Sequence, residues 1–464
     1  MLKKISNIFK RNNSSSPGAS NRGTSKTGAP NTLHSGQHSL SAKKISPGAR
    51  KVVEQLASDG YEAYLVGGCV RDLMMGLKPK DFDVATDATP EQVKQSFRRS
   101  RIIGRRFQIV HVRMGSEIIE VTTFRAHHTE KKNHRDKSQH SSKGMLLRDN
   151  IFGSINEDAS RRDFTINAFY YRPQDNSVYD YASGLPDIEN RLVRIIGNPV
   201  DRYREDPVRM LRALRFAAKL GFNIEENTAS AIAKTYKLLA DIPPARLFDE
   251  GLKLFMHGHA LATFHLLREY QLFGVLFPAT EAALAKDPGY YLKFIELALT
   301  NTDIRIRSNK RVTPAFLYAA LLWPALKETE QLFSQQGDSS THALQQAASE
   351  VTTRQCQRIA IPRRFTLPMR EIWELQLRLP RRAGNQAFRL MEHKRFRAGY
   401  DFLLLREDIG EIESGLGHWW TTFQDAGEDK QQEMVSNLQQ SGNRSGNKNR
   451  RRRKPNKPKA PTHD

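Results

Sequence analysis

The sequence predicts an α/β head followed by an all-helical body, with a basic tail at each end. Three observations carry that prediction. Between residues 63 and 196 the apolar residues fall in short, strand-length runs separated by turn residues. From Asp206 to about residue 425 they recur at helical spacing instead. The charge is concentrated at the ends: residues 1–50 carry nine Lys/Arg and no acid, and residues 441–464 carry nine against the single acid Asp464.

Each element follows from local signals. Residues 1–47 are rich in Ser, Asn, Gly and Lys and have no hydrophobic period, so they are expected to form a disordered basic tail. Order is expected from Ser46-Pro47, with an amphipathic helix through Val52, Val53, Leu56 and Ala57. Strands are expected at 63–66, 82–85, 109–112, 118–121, 165–171 and 192–196. The polar stretch 127–145 reads as a flexible insertion. The expected divisions are a catalytic head over 48–200, a helical neck over 201–265, a helical body over 266–425 and a second disordered basic tail over 426–464.

With 464 residues the chain has room for two to four domains. Its net charge of +23 sits mostly in the tails, and a field of that sign attracts nucleic acid. Cys69 and Cys356 offer neither metal spacing nor a disulfide framework, which suits a reducing, cytoplasmic setting. No apolar run approaches the roughly 20 residues that span a bilayer. The first ten residues lack the apolar core of a secretory signal.

Chemistry is carried by five segments. In Leu65-Val66-Gly67-Gly68-Cys69-Val70-Arg71-Asp72, a strand meets two glycines and then a helix start. Glycines there let backbone N–H groups approach phosphate, and Arg71 can add a charged donor; the alternative is an ordinary tight turn. In Lys80-Asp81-Phe82-Asp83-Val84, alternate strand residues share a face, so Asp81 and Asp83 stand about 7 Å apart at the backbone and can hold divalent metal. Burying Phe82 and Val84 beside two acids is costly without a cation. Glu120, in the apolar run Ile118-Ile119-Glu120-Val121, offers a third metal carboxylate, against the bland reading of a solvated strand edge.

In Arg161-Arg162-Asp163-Phe164-Thr165-Ile166-Asn167-Ala168, Arg161 or Arg162 can contact phosphate or sugar. Asp163 can hold a ribose hydroxyl or support the metal site, unless Arg162 and Asp163 are simply an ion pair. In Glu205-Asp206-Pro207-Val208-Arg209, Pro207 is expected at the first helical position, with Asp206 and Arg209 one turn apart. That acceptor–donor pair fits the Watson–Crick edge of adenine or cytosine and mismatches guanine and uracil; the alternative is a capping acid beside a solvated arginine. His127, His128, His134 and His140 are expected to be solvated, His111 to be packed, and Trp419-Trp420 to serve helix packing. The run Arg450, Arg451, Arg452, Arg453 and Lys454 is expected to bind RNA.

These motifs, in this order, resemble the class II nucleotidyltransferase family, which holds tRNA CCA-adding enzymes and bacterial poly(A) polymerases. The match spans residues 60–260. The segments 103–112 and 244–255 and the basic C-terminal tail look like the poly(A) polymerase branch. The resemblance implies a nucleotidyltransferase head with a small mixed sheet, two Mg²⁺ ions on Asp81 and Asp83, and base reading by Asp206 and Arg209. It further implies nucleotide contacts from Gly67, Gly68, Arg71, Asp72, Arg161, Arg162 and Asn167, a catalytic role for Asp163, and ATP as substrate. The expected partners are RNA 3′ ends of mRNA, small RNA or tRNA precursors, together with RNA-decay or RNA-chaperone proteins. CCA addition to tRNA and a non-catalytic RNA-binding role are the rival expectations.

Overall fold

The computed structural model describes residues 29–104, 108–126, 139–140, 146–148, 152–287 and 289–438. The head is a single eight-stranded sheet formed by β1 (Asn31–Leu33), β2 (Ala63–Val66), β3 (Asp83–Thr86), β4 (Ser100–Ile103), β5 (Ile109–Met114) and β6 (Glu117–Thr123), with two later strands. Beyond β6, β7 (Gln139–His140) and β8 (Leu146–Arg148) pair only with each other. β9 (Phe169–Arg172) and β10 (Ser177–Asp180) complete the large sheet, whose spatial order is β1-β10-β9-β2-β3-β6-β5-β4. The pairing of β3 with β6 is parallel and its neighbours are antiparallel, so the sheet is mixed.

Alternation divides this sheet into two faces. Leu65, Val84, Val110, Val112, Ile119, Val121, Phe169 and Tyr171 point into a core closed by the helices α1 (Pro47–Ser58), α2 (Gly68–Met74) and α3 (Pro90–Ser96). Tyr64, Val66, Ala85 and Tyr170 point the other way, onto Phe124 and Ala159 of α4 (Ile155–Arg161). The helix starts are fixed by side chains. Ser46 Oγ accepts from Ala49 N at 3.0 Å with Pro47 in the first turn, and Thr89/Gln92 and Ser154/Glu157 form capping boxes.

The structure differs from the sequence expectations at several boundaries. Order begins before residue 46: β1 adds to the sheet edge through Asn31↔Asp180 and Thr32↔Tyr179, while Leu40 and Ile45 are buried. The run 165–171 is not one strand. Thr165–Asn167 is a 3-10 turn, and the strand starts at Phe169. Leu192–Val193, β11, does not join the large sheet; after the helix α5 (Gly184–Glu189) it pairs in parallel with β12 (Asn223–Ile224). At the C-terminal side, residues 428–438 are helical and Val435 is buried, so order continues past 425. Most of the insertion 127–145 lies outside the described residues.

Helices follow one another from α6 (Pro199–Glu205) and α7 (Val208–Leu220) through α8 (Glu226–Thr235) and α9 (Pro244–Phe255) to residue 438. Phe164, Ile166, Tyr203, Val208, Leu211 and Leu214 share one apolar cluster with residues as distant as Trp373 and Leu405. That core runs without a break across the expected division at 265/266. A second, smaller cluster holds Leu375, Tyr400, Trp420 and Phe423. Trp420 is fully buried, its indole N–H donating to Leu379 O at 3.1 Å, and Trp419 stacks on Phe423 with centroids 4.7 Å apart. Both tryptophans therefore serve packing.

Candidate active site

The sheet register assembles the acidic site. Reading across the strands, Tyr170 pairs with Val66, Val66 with Asp83, Asp83 with Glu120, Glu120 with His111 and His111 with Arg101. Residues directly opposite in a ladder share a face, so the row places Asp83 and Glu120 side by side on adjacent strands. Asp81 enters the same neighbourhood from the turn before β3. Burial first, then Glu120 and Asp81, push the Asp83 carboxyl up to about 6, against the pull of Arg162. Among the described residues neither Asp81 nor Asp83 has a cation within ion-pair distance, whereas Glu120 Oε1 lies 3.4 Å from His111 Nε2.

This is an oxygen-only donor set short of positive charge, which fits a hard divalent cation such as Mg²⁺. Among the described residues no three acid, imidazole or thiol groups close around one point. Asp81 and Asp83 therefore leave most coordination positions to a phosphate-bearing substrate and water, the arrangement Mg²⁺ favours. Phe82 packs into the core on the opposite face, as alternation requires.

Beside the acids lies the glycine turn. Gly67 has φ +74, and its N–H donates to Phe169 O at 3.0 Å. A Cβ at Gly67 would sit 3.3 Å from Arg162 Nη1, so the turn and this guanidinium are in contact range. Arg162 does not pair with Asp163. Its Nη2 donates to Asp158 Oδ2 at 3.0 Å and its Nε to the Tyr170 hydroxyl at 2.8 Å, while that hydroxyl donates to Asp158 at 2.6 Å. Burial opposes the charge, but Tyr170 and Asp158 keep Arg162 firmly protonated. Asp158 and Tyr170 had no distinguishing sequence signal. Arg161 is different: burial, then Arg125, Arg202 and Arg209, lower its guanidinium to about 10 with Glu205 opposing. Four arginines thus crowd around the single carboxylate of Glu205, which pairs with Arg202 and Arg209 at 2.8 Å.

Four residues expected at the nucleotide or in catalysis are engaged with one another. Arg71 is 1% exposed; its Nε donates to Asp72 Oδ1 at 2.8 Å and its Nη1 to Asn167 Oδ1. Asn167 donates to Asp163 Oδ1 at 3.2 Å, and Asp163 Oδ2 accepts from Arg212 Nε of α7 at 2.7 Å. Lys219, at the other end of α7, donates to Asp72 Oδ2 at 3.2 Å and closes the circuit. Arg71, Arg212 and Arg215 all lie over the Phe216 ring, at 5.4, 5.4 and 4.7 Å. Burial works against the Asp163 charge, but Arg212 holds its carboxyl down to about 2. Arg71, Asp72, Asp163 and Asn167 thus clasp the head to α7. Each of these charges is thereby satisfied inside the protein.

The pair expected to read the base is also braced. Asp206 follows α6 with an extended backbone and its Oδ1 accepts from Val208 N at 3.3 Å, while Pro207 takes helical dihedrals at the entry to α7, as the sequence led one to expect. Asp206 Oδ2 accepts from Arg246 Nη2 of α9 at 2.7 Å, and Arg209 Nη1 donates to Glu205 Oε2 and Arg202 O, both at 2.8 Å. Arg202 in turn donates to the carbonyls of Arg161 and Arg162 at 2.6 and 2.7 Å. Asp206 and Arg209 lie one turn apart as expected, yet each is held by a third residue, Arg246 and Glu205, that pattern alone does not single out. His127, His128 and His134, the His140 side chain, and Arg450 through Lys454 lie outside what is described.

Comparison with known proteins covers nearly the whole chain. Residues 63–194 match the family model of the Poly A polymerase head domain, 221–284 a probable RNA and SrmB-binding site of polymerase A, and 336–457 the polymerase A arginine-rich C-terminus. The chain is 51% identical over 407 residues to poly(A) polymerase I of Escherichia coli O6:H1, covering 87% of each. It is 46% identical over 416 residues to poly(A) polymerase I of Haemophilus influenzae, covering 88% of this chain and 91% of that one. Its fold is similar to the crystal structure of Bacillus stearothermophilus CCA-adding enzyme in complex with CTP, with TM-score 0.53 and 25% identity over 82% of both chains.

Proposed function

The chain belongs to the poly(A) polymerase I family and is a polynucleotide adenylyltransferase, and from that premise we propose that Asp81, Asp83 and Glu120 mark the point of transfer. The reaction joins ATP to an RNA 3′-hydroxyl: a bond forms from the 3′-oxygen to the α-phosphorus, the bond to the β-phosphate breaks, and pyrophosphate leaves. Asp81 and Asp83 would hold Mg²⁺, with Glu120 as the third carboxylate. Bound there, the metal supplies charge stabilisation for the transferring phosphoryl group and its leaving oxygens. The rest falls to the chain itself. Gly67 and Gly68 admit the triphosphate close to the backbone, and Arg162 and Arg161 offer it donors. Asp206 accepts from an exocyclic amine while Arg209 donates to the ring nitrogen, and Arg246 and Glu205 keep both aimed. Arg71, Asp72, Asp163 and Asn167 act as positioning residues that hold the turn against α7.

The observation that carries this reading is the Asp83–Glu120 register beside the Gly67 turn, with the Asp83 carboxyl pushed up to about 6. We further propose that the substrates are mRNA and small RNA 3′ ends in the cytoplasm and that tailing promotes their decay alongside RNA-decay or RNA-chaperone proteins. Arg450 to Lys454 would grip the RNA backbone. No helix among the described residues is long and apolar enough to cross a membrane. The test is incubation with Mg²⁺, an unstructured RNA and each nucleotide separately. A long ladder with ATP alone is expected. Short products that stop after a fixed number of additions and require CTP would overturn the substrate assignment in favour of CCA addition.

A further inference from the structure

The row of residues that contains Asp83 is closed on one side and open on the other. Toward β2 and β9 it continues into Val66 and Tyr170, which are packed under Phe124 and Ala159. Toward the other edge it continues through Glu120 and His111 to Arg101 on β4, which is exposed. Arg113, two residues from His111 on β5, shares this face and is also exposed; its ladder partner Ile118 is 51% exposed. The neighbours of opposite parity, Val110, Val112, Ile119 and Val121, are buried in the helix-covered core, which fixes the face assignment. Among the described residues neither Arg101 nor Arg113 has an acid partner.

Resting on the reading that Asp81 and Asp83 are the centre of transfer, we propose that this open half of the sheet binds the last nucleotides of the RNA primer, with Arg101 and Arg113 neutralising its backbone phosphates. Displacement at phosphorus sets the attacking and leaving oxygens roughly in line. With the triphosphate at Gly67 and Arg162, on the β2 side of Asp83, the attacking 3′-oxygen approaches from the Glu120 side, and the strand behind it runs toward β4. Three strand spacings separate Asp83 from Arg101, roughly 14 Å, a reach of a few nucleotides. Ile118 offers an apolar surface beside Arg113 against which an unstacked base can rest. The family model of a probable RNA and SrmB-binding site covers residues 221–284; the sheet edge is a separate site near the 3′ end.

The double variant Arg101→Glu/Arg113→Glu tests it against a single-stranded oligoadenylate primer. The KM for RNA should rise roughly tenfold and the slope of log affinity against log salt should flatten by about 1.4, two phosphate contacts being lost. The KM for ATP should stay unchanged, and Arg101→Lys/Arg113→Lys should recover the wild-type slope. A second measurement uses the unaltered chain: 4-thiouridine placed third from the primer 3′ end should crosslink to residues 100–118. RNA KM and salt slope at wild-type values, or crosslinks confined to 221–284, overturn the proposal. Asp83→Asn separates the two readings. A dead Asp83→Asn with normal RNA affinity leaves the centre of transfer standing whatever the arginines do, whereas an active one removes the premise.

Discussion

The sheet face and the head–neck clasp use the same residue types to opposite ends. On the face, Asp81, Asp83 and Glu120 gather within one neighbourhood and are left short of cations. In the clasp, Asp72, Asp163 and their arginine and lysine partners form a closed circuit of hydrogen-bonded charge. The two regions also respond to pH with opposite sign. Asp83 titrates near 6, above the ordinary 3.8, so its contribution to stability is complete below about pH 4 and is lost as pH rises through 6. Asp163 titrates near 2, below the ordinary 3.8, so its contribution is complete above about pH 4 and is lost as pH falls through 2. At neutral pH the Asp83 charge thus weakens the protein and the Asp163 charge strengthens it.

The largest effect expected from that contrast is catalytic. Asp83→Ala should lower adenylate transfer at least about a thousandfold, several kcal/mol of charge stabilisation being removed, with RNA affinity within twofold of wild type by filter binding. Transfer near the wild-type rate would remove Asp83 from the centre. Next is the clasp: Asp163→Asn should cost about 3 kcal/mol in urea unfolding, because Arg212 is left without its counter-charge. A variant as stable as wild type would mean the circuit is ornamental. Smaller again is the pH limb. Between pH 4 and 7, metal-free Asp83→Asn should gain on wild type by at most on the order of 3 kcal/mol, the gap between 3.8 and about 6, and Mg²⁺ should stabilise wild type alone. A constant difference across that range would show that the acids are not strained. The smallest change expected is Gly67→Ala, where φ +74 with ψ -130 is a backbone conformation that L residues rarely adopt and costs about 1–3 kcal/mol, and the new methyl crowds Arg162. The KM for ATP should rise while Trp419→Ala, in the packed C-terminal cluster, leaves it alone.

Much of the acidic site could be read from the chain because its logic is local. Alternation placed Asp83 on the face opposite Val84, Asp81 reaches the same neighbourhood from the turn before β3, and an acid isolated in the run 118–121 singled out Glu120. The clasp could not be read in that way. Arginine, aspartate and asparagine beside a glycine turn suit phosphate binding and buried ion networks equally well, and the residue that decides, Arg212, lies 49 positions beyond Asp163. The switch from sheet to helix was visible in the period, but Asn31–Leu33 is too short and polar to announce a strand, and only pairing with β10 makes it one. Thr165–Asn167 read as strand because Thr165 and Ile166 are β-branched and run into the apolar stretch Ala168–Tyr171, yet the chain there must turn to bring Asn167 toward Arg71.

The closed circuit from Asp72 through Arg212 and back by Lys219 has a practical consequence for chimeras. A graft that cut the chain near residue 200 would carry the strands and the acids but discard Arg212, Lys219 and the Phe216 ring on which three guanidiniums rest. Asp163 would then face a foreign helix without Arg212, and Asp72 would keep Arg71 alone. A cut after Leu220, at the left-handed Gly221 that terminates α7, keeps those counter-charges but parts β11 from β12 and opens the core that α7 shares with the later helices, so the clasp ties the head to the whole helical body.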